Sequence, residues 1–439
     1  MNFDKSIKLR LKAHSLIPGG AHTYSKGEDQ FPKLSPGFII RGEGAYVWDL
    51  DGNKFIDWGM GLTSVLLGHA YEPVIKEVQK EIYNGSNFIL PSHIESELAE
   101  ILVNQIPSAQ MVKFGKNGSD ATSSAVKLAR AYTGKNLILR CADNPFLSID
   151  DWFIGSTKVD SGVPNTTKNL TKLFKYNHLK NLRDVIEENK KEGIACVVME
   201  PASSEEPIEG YLQGVKDLCE QNNIILIFDE VVSGFRFHPK GAQYLYGVTP
   251  HLSSFGKSIA NGFSFSALAG KRDIMELGGI KHDKQKVFLM SSTYGAETHH
   301  LRAAQKTIEI LNNNNYEVTK HIWDTGKKIK NSFNEITRRL GIYNFIRLEG
   351  IDCRPNFVFF DKYNKPDMLL KTLFLQEMIK HGILLKIIAP SFSHRESEIN
   401  QTIEAFEKVL NIIQYAIESK KVRKLLIGNP IKPVFRKYN

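Results

Sequence analysis

Cysteine is scarce in this 439-residue chain, and its few copies form no recognisable pattern. None of the four belongs to a CxxC pair, and three lie in apolar stretches; they are Cys141, Cys196, Cys219 and Cys353. A chain of this size can bury a large core, so it does not need a disulfide framework. We therefore expect reduced thiols in the core of a cytosolic protein.

Long apolar runs are absent as well. No stretch of the chain approaches the ~18 consecutive apolar residues that span a membrane. The N-terminal stretch MNFDKSIKLRLKAHSLIPGG also lacks the apolar segment of a signal peptide. We expect a protein that stays in the cytoplasm and has no membrane partner.

A concentrated basic stretch is the third missing feature. The sequence has 57 Lys and Arg against 48 Asp and Glu, a formal net charge of +9, but the basic residues are scattered. We interpret their densest cluster, residues 419–437, as a solvated tail, with easier approach of anionic substrates as the alternative. Because the chain has no interleaved basic and aromatic stripe and no recognition motif, we expect no nucleic-acid partner.

The order of the predicted elements indicates an α/β protein with more than one domain, since 439 residues exceed one usual core. From about residue 72, apolar runs such as NLILRC, IACVVMEP and NIILIFDEVVSGF alternate with helical stretches. This alternation predicts a mainly parallel sheet covered by helices on both faces. We predict a large domain at 72–340 and a small α+β domain at 341–439, with the N-terminal segment 1–71 packing beside the small domain.

A carboxylate ends one of these apolar runs. Asp229 follows the apolar residues of IILIF, so it should lie at the carboxyl end of a buried strand. Open α/β sheets place their ligand sites at this edge. The alternative is structural, a carboxylate that reaches a helix N-terminus or a nearby arginine, and this motif alone does not decide between the two.

Downstream of Asp229, Lys257 lies among small residues in LSSFGKSIANGFSFSALAG. A lysine amine becomes nucleophilic where its surroundings lower its pKa. Enzymes that use pyridoxal 5'-phosphate (PLP) need such a lysine for a Schiff base, and a carboxylate beside the pyridine nitrogen. Asp229 and Lys257 fit both requirements, although a surface lysine in a glycine-rich loop is the commoner arrangement.

A glycine turn before a helix is the third element. In GKNGSDATSSAVKLAR, Ser119 is the predicted N-cap of a helix whose first N–H groups can bind an anion such as phosphate. The alternative is a simple capped helix. A lone glycine turn is weak evidence, whereas this turn, Asp229 and Lys257 in this order are much stronger evidence.

Together these segments resemble a known family. Over almost its whole length the chain is similar to the class III, fold-type I PLP-dependent aminotransferases, and most to their glutamate-1-semialdehyde 2,1-aminomutase branch. The segments that carry the resemblance are RGEGAYVWDLDGNKFIDWGMG, NGSDA, IFDEVVSGFR, FGKSIANGFSFSALAG and SSTYGAE. The resemblance implies a mainly parallel seven-stranded sheet between helices, PLP as the cofactor, no metal, and a homodimer whose subunits share the active site.

The resemblance also assigns roles to residues on the cofactor side. It implies that Lys257 forms the Schiff base and moves a proton, while Asp229 pairs with the pyridine nitrogen. It assigns the phosphate of PLP to Gly118 and Ser119, and one face of the ring to Val231.

Further assignments concern the walls of the site. Thr293 falls where the family reaches the phosphate held by the partner subunit, and Glu200 falls where the family supports the active-site wall. The aromatic residue that covers the cofactor ring in the family has two candidates here, Asn144 and Phe146, and the resemblance does not choose between them. Ordinary core packing is the alternative for Phe146.

The chain departs from the family on the substrate side. Glu205 stands where the family has an asparagine near the cofactor, and Lys26 lies near the position of the arginine that binds the aminomutase substrate. Lysine pairs with a carboxylate but lacks the planar two-pronged geometry of arginine. We therefore expect an active transaminase with an amino-acid donor and a small carbonyl substrate other than glutamate semialdehyde, such as a sugar-like compound.

Three alternatives stay open. The chain could be an aminomutase of the glutamate-1-semialdehyde type, a PLP-dependent epimerase, or a PLP-fold binding protein that has lost catalysis. Release of a new carbonyl compound from the donor separates transfer from the first two. Lys257 and Asp229 argue against the third, because a pure binding protein has less need for both.

Overall fold

The computed structural model describes residues 1–439, which form 13 strands and 16 α-helices. The strands are β1 (Ile39–Glu43), β2 (Tyr46–Asp49), β3 (Lys54–Asp57), β4 (Met111–Gly115), β5 (Leu137–Cys141), β6 (Thr171–Phe174), β7 (Ile194–Met199), β8 (Ile225–Glu230), β9 (Leu252–Phe255), β10 (Ser266–Gly270), β11 (Ile346–Glu349), β12 (Asn356–Phe359) and β13 (Ile383–Leu384).

The helices vary from single turns of four residues to two helices of 23 residues. They are α1 (Asp4–Leu16), α2 (Met60–Thr63), α3 (Glu72–Ile82), α4 (His93–Gln105), α5 (Gly118–Thr133), α6 (Asp151–Ile154), α7 (Asn165–Lys168), α8 (Leu179–Asn189), α9 (Tyr211–Gln221), α10 (Ala242–Leu245), α11 (Arg272–Met275), α12 (Thr298–Asn312), α13 (Glu317–Arg339), α14 (Met368–Lys380), α15 (Glu396–Glu418) and α16 (Val422–Leu425). Short 3₁₀ turns lie at Pro18–Gly20, Tyr24–Lys26, Glu28–Gln30, Lys190–Glu192, Lys257–Ala260 and Glu276–Gly278.

The chain divides into two compact units. The first unit is residues 72–319, and the second unit combines residues 1–71 with residues 320–439. The division of the chain into separate domains stays a prediction. The predicted boundary lies near residue 340, whereas the two compact units meet at residues 319 and 320.

A seven-stranded sheet forms the centre of the first unit, in the order β4-β10-β9-β8-β7-β5-β6. The neighbours from β9 to β6 are parallel, and β10 runs antiparallel to both β9 and β4. The prediction of a mainly parallel seven-stranded sheet is confirmed. A parallel arrangement puts the carboxyl ends of β7, β8 and β9 at one edge, where the candidate site lies.

The apolar character of β5, β7 and β8 explains why all their residues are buried. Alternate residues such as Leu139, Met199 and Phe228 form one cluster with residues of α8 and α9. Helix α5 packs against β7 to β10. Its first residue, Gly118, lies against Val231, which directly follows β8, so the helix begins at the carboxyl ends of the parallel strands.

The second unit has its own sheet and core. Its sheet has the order β1-β2-β3-β13, with β13 parallel to β3. Phe333, Phe374 and Phe406 meet at the centre of its core, with ring centroids of Phe333 and Phe406 4.9 Å apart.

All four cysteines are buried and none forms a disulfide, as predicted. None of the helices combines the length and apolar character that crossing a bilayer requires.

Candidate active site

The Asp229 carboxylate lies at the carboxyl end of β8, in the middle of the seven-stranded sheet, and the residue is 4 % exposed. Its Oδ1 accepts hydrogen bonds from the backbone N–H of Val231 (2.9 Å) and from Ser254 Oγ (3.1 Å). The second bond follows from strand register, because β9 places Ser254 directly beside Asp229. These two donors fix the direction of the carboxylate.

The surroundings of Asp229 make its negative charge costly. Burial and then the charge of Glu200 raise the pKa of Asp229, the hydrogen bonds and Lys257 lower it, and the pKa that results is about 7. Glu200 directly follows β7, whose register with β8 brings it beside Asp229. A cationic N–H group next to Asp229 would restore the ionised form. The protonated pyridine nitrogen of PLP is a group of this kind.

Lys257 begins a 3₁₀ turn directly after β9 and Gly256. Its backbone is left-handed, with φ of 49°. Residues other than glycine rarely adopt this conformation, and such strain is concentrated at functional sites. The positive charge of Lys257 is near enough to lower the pKa of Asp229 against the effect of burial. The structure therefore brings the two predicted catalytic residues together.

Val231 packs against two glycines that belong to the other predicted segments. A Cβ at Gly118 would lie 2.8 Å from Val231 Cγ1 and Cγ2, and a Cβ at Gly256 would lie 3.3 Å from Cγ1. Non-bonded carbon atoms do not approach to 2.8 Å, so Val231 leaves no room for a side chain at position 118. At Val231, the turn before α5, the end of β8 and the start of the Lys257 turn therefore meet.

The N-cap of α5 is Asn117, so the prediction of Ser119 as the cap is wrong. Asn117 Oδ1 accepts the N–H groups of Ser119 (2.9 Å) and Asp120 (3.2 Å). The Asp120 carboxylate accepts the N–H groups of Asn117 (3.1 Å) and Lys116 (2.8 Å). Asparagine and serine cap helices about equally well, and the sequence NGSD offers both.

The start of α5 nevertheless fits a phosphate group. The helix has 16 residues, and its positive end points to this turn. Ser119 is buried, and its Oγ accepts the backbone N–H of Ile149 (3.1 Å). A hydroxyl that accepts one hydrogen bond can still donate one to an anion. Gly118 has no side chain that would cover the turn, so the residues present are suited to hold PLP by its phosphate.

Asn144 and Phe146, the two candidates for the ring cover, have different surroundings. Asn144 is buried, and its Oδ1 accepts the backbone N–H of Glu200 (2.9 Å). Phe146 is 47 % exposed and contacts Phe153 edge-on, with ring centroids 5.7 Å apart. Asn144 thus links the loop after β5 to the end of β7, whereas Phe146 has exposed ring surface. The difference favours Phe146 as the cover, and this role stays a prediction.

Glu200 and Glu205 also differ. Glu200 is buried beside Asp229, and its charge raises the pKa of Asp229. Glu205 is exposed. Burial raises the pKa of Tyr176 and of Tyr211, and the charge of Glu205 adds a smaller contribution to both. A role for Glu205 near the cofactor stays a prediction.

Thr293 and Lys26 are both exposed in the single chain. The Thr293 carbonyl accepts a hydrogen bond from Asn87 Nδ2 (3.0 Å). Lys26 ends a 3₁₀ turn in the second unit. Exposure suits a threonine that acts in a partner subunit and a lysine that meets a substrate, and both roles stay predictions.

A charged cluster that no sequence pattern indicated lies beside the phosphate turn. Lys116 Nζ forms an ion pair with Glu297 and lies 2.9 Å from His300 Nδ1. Burial, with help from His299 and Lys116, lowers the pKa of His300 to about 4, so this histidine is a neutral acceptor for Lys116. The His300 ring also contacts Phe263, from the segment after Lys257, with ring centroids 5.8 Å apart. The only hint in the sequence was a lysine inside the glycine turn.

A strand-end carboxylate, a left-handed lysine and a helix start suited to phosphate, gathered at one edge of a mainly parallel sheet, define a PLP enzyme of fold type I. The comparisons with known proteins give the family. The family model described as aminotransferase class-III matches residues 24–410, so the chain belongs to the class III aminotransferases, and its cofactor is PLP.

Two relatives of known sequence match almost the whole length of the chain. A glutamate-1-semialdehyde 2,1-aminomutase of Methanosphaera stadtmanae is 30 % identical over 433 residues, which cover 93 % of this chain and 99 % of that protein. A protein of the same name from Fusobacterium nucleatum is 31 % identical over 437 residues, with 93 % and 97 % covered.

Solved structures of PLP enzymes share the fold. The FumI protein of Sphingopyxis sp. MTA144 matches with a TM-score of 0.85 at 24 % identity, covering 97 % of this chain and 100 % of that chain. A glutamate-1-semialdehyde-aminomutase from Pseudomonas aeruginosa PAO1 matches with a TM-score of 0.80 at 17 % identity, with 94 % and 95 % covered. At this identity the likeness concerns the fold.

Proposed function

We propose that this enzyme transfers an amino group from an amino-acid donor to a small carbonyl substrate, with Lys257 as the residue that carries PLP. The observation that supports the proposal is the junction at Val231. There the close approach of Gly118 and Gly256 brings together the turn suited to phosphate, the segment of Asp229 and the segment of Lys257. A site built only for structure would not require a left-handed lysine beside a buried carboxylate.

When bound, PLP supplies an aldehyde that condenses with amines and a ring that withdraws electrons. Asp229, whose carboxylate is held by Ser254 and the Val231 N–H, would keep a proton on the pyridine nitrogen. Lys257 Nζ takes a proton from the α-carbon of the donor and later returns one to the carbon that receives the amino group. Gly118 and Ser119 would hold the phosphate and so fix the position of the ring.

The carbonyl substrate is proposed to differ from glutamate semialdehyde. Lys26 is an exposed lysine. The resemblance puts it near the position of the arginine that binds the aminomutase substrate, and a lysine cannot bind a carboxylate in the two-pronged manner. A keto-sugar, or another small keto or aldehyde compound, fits this change. Assays of a keto-sugar panel test the point, and a panel without turnover would remove the sugar-like part of the proposal.

A homodimer is proposed to complete the site at Thr293. Thr293 is linked to Asn87, and both segments expose apolar side chains, since Tyr294 is 61 % and Ile89 is 100 % exposed. Exposed apolar patches mark protein interfaces. Sedimentation of the wild type and Ile89→Lys tests this proposal, because the charged variant should shift the assembly towards the monomer.

A reducing compartment, the cytoplasm, is the proposed location. Four buried free thiols suit such surroundings. Fractionation of cells that produce the protein tests the proposal, and recovery outside the cytoplasmic fraction would contradict it.

Aminomutase activity is the second candidate, and one observation favours it. The relatives that match this chain over 93 % of its length carry the aminomutase name. A mutase moves the amino group within one molecule, so no new carbonyl compound leaves the donor. Analysis of products from glutamate 1-semialdehyde separates the two candidates.

The visible absorption spectrum of the purified enzyme tests the main proposal. A PLP band that shifts to the pyridoxamine form after addition of glutamate or another amino donor would support transfer. A PLP band that no donor changes would favour the mutase.

A further inference from the structure

Lys116 lies two residues before Gly118, in the turn that is proposed to hold the phosphate of PLP. Its side chain is directed to other residues of the protein, since only 30 % of it is exposed. The Nζ forms an ion pair with Glu297 and lies 2.9 Å from His300 Nδ1. The Glu297 carboxylate and His300 Nδ1 lie 3.3 Å apart at the start of α12. We call these three residues the Lys116 cluster.

The Lys116 cluster carries little net charge. The Lys116 ammonium is paired with the Glu297 carboxylate. His300 is neutral, because burial and then the charges of His299 and Lys116 lower its pKa to about 4. A paired cation exerts only a weak field on a phosphate group nearby. The arrangement therefore suits a role in holding the turn better than a role in attracting the phosphate by charge.

The backbone of Lys116 is held as firmly as its side chain. Its N–H donates to Asp120 Oδ2 (2.8 Å), and its carbonyl accepts a hydrogen bond from Ser264 Oγ (2.8 Å). Ser264 belongs to the segment that follows Lys257, and Phe263 of the same segment contacts the His300 ring. Lys116 thus connects the phosphate turn to the segment after Lys257 as well as to α12.

The start of α12 gives the Lys116 cluster a fixed support. Thr298 is buried, its N–H donates to the carbonyl of Ser86 (3.0 Å), and its Oγ1 donates to the carbonyl of Gly85 (2.8 Å). Helix α12 also packs against α3, α4 and the 3₁₀ turn Lys257–Ala260. A turn tied to this helix keeps its position relative to Lys257. The Glu297 side chain does not cap the helix, so its loss removes the tie without removing a cap.

We propose that the Lys116 cluster fixes the phosphate turn relative to Lys257, and that Lys116, Glu297 and His300 are positioning residues for PLP. The inference rests on the proposed function in one respect, the assignment of the PLP phosphate to Gly118 and Ser119. PLP has two points of attachment, its phosphate in the turn and its aldehyde at Lys257. Two attachments reinforce each other only when the distance between them matches the ligand. The cluster sets that distance.

Titration of the full-length enzyme, freed of PLP by dialysis, tests the proposal when PLP is compared with pyridoxal, which lacks the phosphate. The visible absorbance of the bound form gives both dissociation constants. Lys116→Met and Glu297→Met should each bind PLP about five-fold or more weakly, because each loses the charge-assisted hydrogen bond that holds the turn. Their affinity for pyridoxal should change less than about two-fold, because pyridoxal does not use the turn. An equal loss for both ligands would overturn the proposal, since a general disturbance of the fold has that effect.

Glu297→Met also separates positioning from attraction by charge. If Lys116 attracted the phosphate directly, loss of Glu297 would leave its charge unpaired, and PLP would bind more tightly. Positioning predicts weaker binding in this variant. The double variant Lys116→Met/Glu297→Met should bind PLP no more weakly than the weaker single variant, because the two residues act as one unit. Unchanged or tighter binding in Glu297→Met, or additive losses in the double variant, would overturn the proposal.

Lys113→Met and Glu309→Met are the matched controls. Lys113 lies on β4 and Glu309 on α12, and both are exposed and outside the Lys116 cluster. They should bind PLP and pyridoxal as the wild type does. Thermal midpoints show which variants are folded, and either single variant carries the test if the other fails to fold.

The proposed function fails in other ways than the Lys116 cluster does. A wild type that binds PLP no more tightly than pyridoxal would overturn the assignment of the phosphate turn, and this proposal with it. Failure of the transaminase proposal alone would show in a spectrum that does not respond to donors, with the affinities for PLP and pyridoxal as expected here.

Discussion

The cofactor side and the substrate side of the candidate site differ in how firmly the chain holds their residues. On the cofactor side, Asp229 is fixed by two donors and Gly118 has no room for a larger side chain. On the proposed substrate side, Lys26 and Glu205 are exposed, and Phe146 is about half exposed. Close packing leaves few substitutions open on the first side, whereas exposure leaves many open on the second. The site can therefore keep its cofactor chemistry while its substrate changes.

The largest expected effect comes from Lys257→Ala. Loss of its amine should reduce transamination by roughly 10²–10⁴-fold, because this is the usual contribution of a positioned proton carrier. The variant should also lose the absorbance of PLP bound to lysine. Steady-state rates and the visible spectrum measure both effects.

Lys12→Ala is the matched control, because it removes an exposed lysine of α1. Its rate and spectrum should equal those of the wild type. A Lys257→Ala variant with the rate of this control would place the proton carrier elsewhere.

Asp229→Asn should change the pH dependence of stability in the protein without PLP. An unfolded aspartate titrates near ~4, whereas burial, with the charge of Glu200, raises the pKa of Asp229 to about 7 in the folded protein. Between these values the folded state keeps a proton that the unfolded state has released, so stability falls as pH rises. The variant should lack this part of the decrease.

Thermal midpoints from pH 4 to 7 measure the difference between the two proteins. Asp184→Asn, in an exposed part of α8, is the control and should follow the wild type. Parallel curves for the wild type and Asp229→Asn would contradict the account of the buried carboxylate.

Gly118→Ala should weaken PLP binding, because the new Cβ would lie 2.8 Å from two atoms of Val231. Overpacking of this kind costs about 1–3 kcal/mol, which corresponds to a loss of affinity of roughly 5- to 150-fold. Equilibrium titration of the protein with PLP measures the change. Val231→Ala in the same chain should restore part of the affinity, and a lack of rescue would mean that contact with Val231 is not the cause.

Thr293→Ala should have the smallest effect. The residue is exposed in the single chain, so the fold should be unchanged. The loss of one hydrogen bond to phosphate should weaken PLP retention by roughly ten-fold or less. Dialysis against buffer without PLP measures retention, and retention equal to the wild type would count against a role in the partner's site.

Residues marked by a local pattern could be predicted from the sequence. Asp229 ends an apolar strand, Lys257 lies among small residues, and Gly118 lies in a glycine turn at the start of a helix, so each carries its own signal. Ser254 could not be predicted in the same way, because only the register of β8 and β9 places it beside Asp229. Glu200 was predicted as part of the wall, but its effect on Asp229 also depends on register.

Contacts between residues far apart in the sequence also could not be predicted. Lys116 meets Glu297 and His300 only through the fold, and no spacing in the sequence indicates this. The prediction of the α5 cap residue was wrong for a local reason. Asn117 and Ser119 are both good caps and lie only two residues apart.

The most direct test of the account is to find the residue that carries PLP. Reduction of the PLP-loaded enzyme with sodium borohydride, followed by digestion and mass spectrometry of the peptides, locates the modified lysine. The account predicts a reduced PLP adduct on Lys257, in the peptide that contains GKSIANGF. An adduct on another lysine, or no adduct in enzyme that has bound PLP, would contradict it.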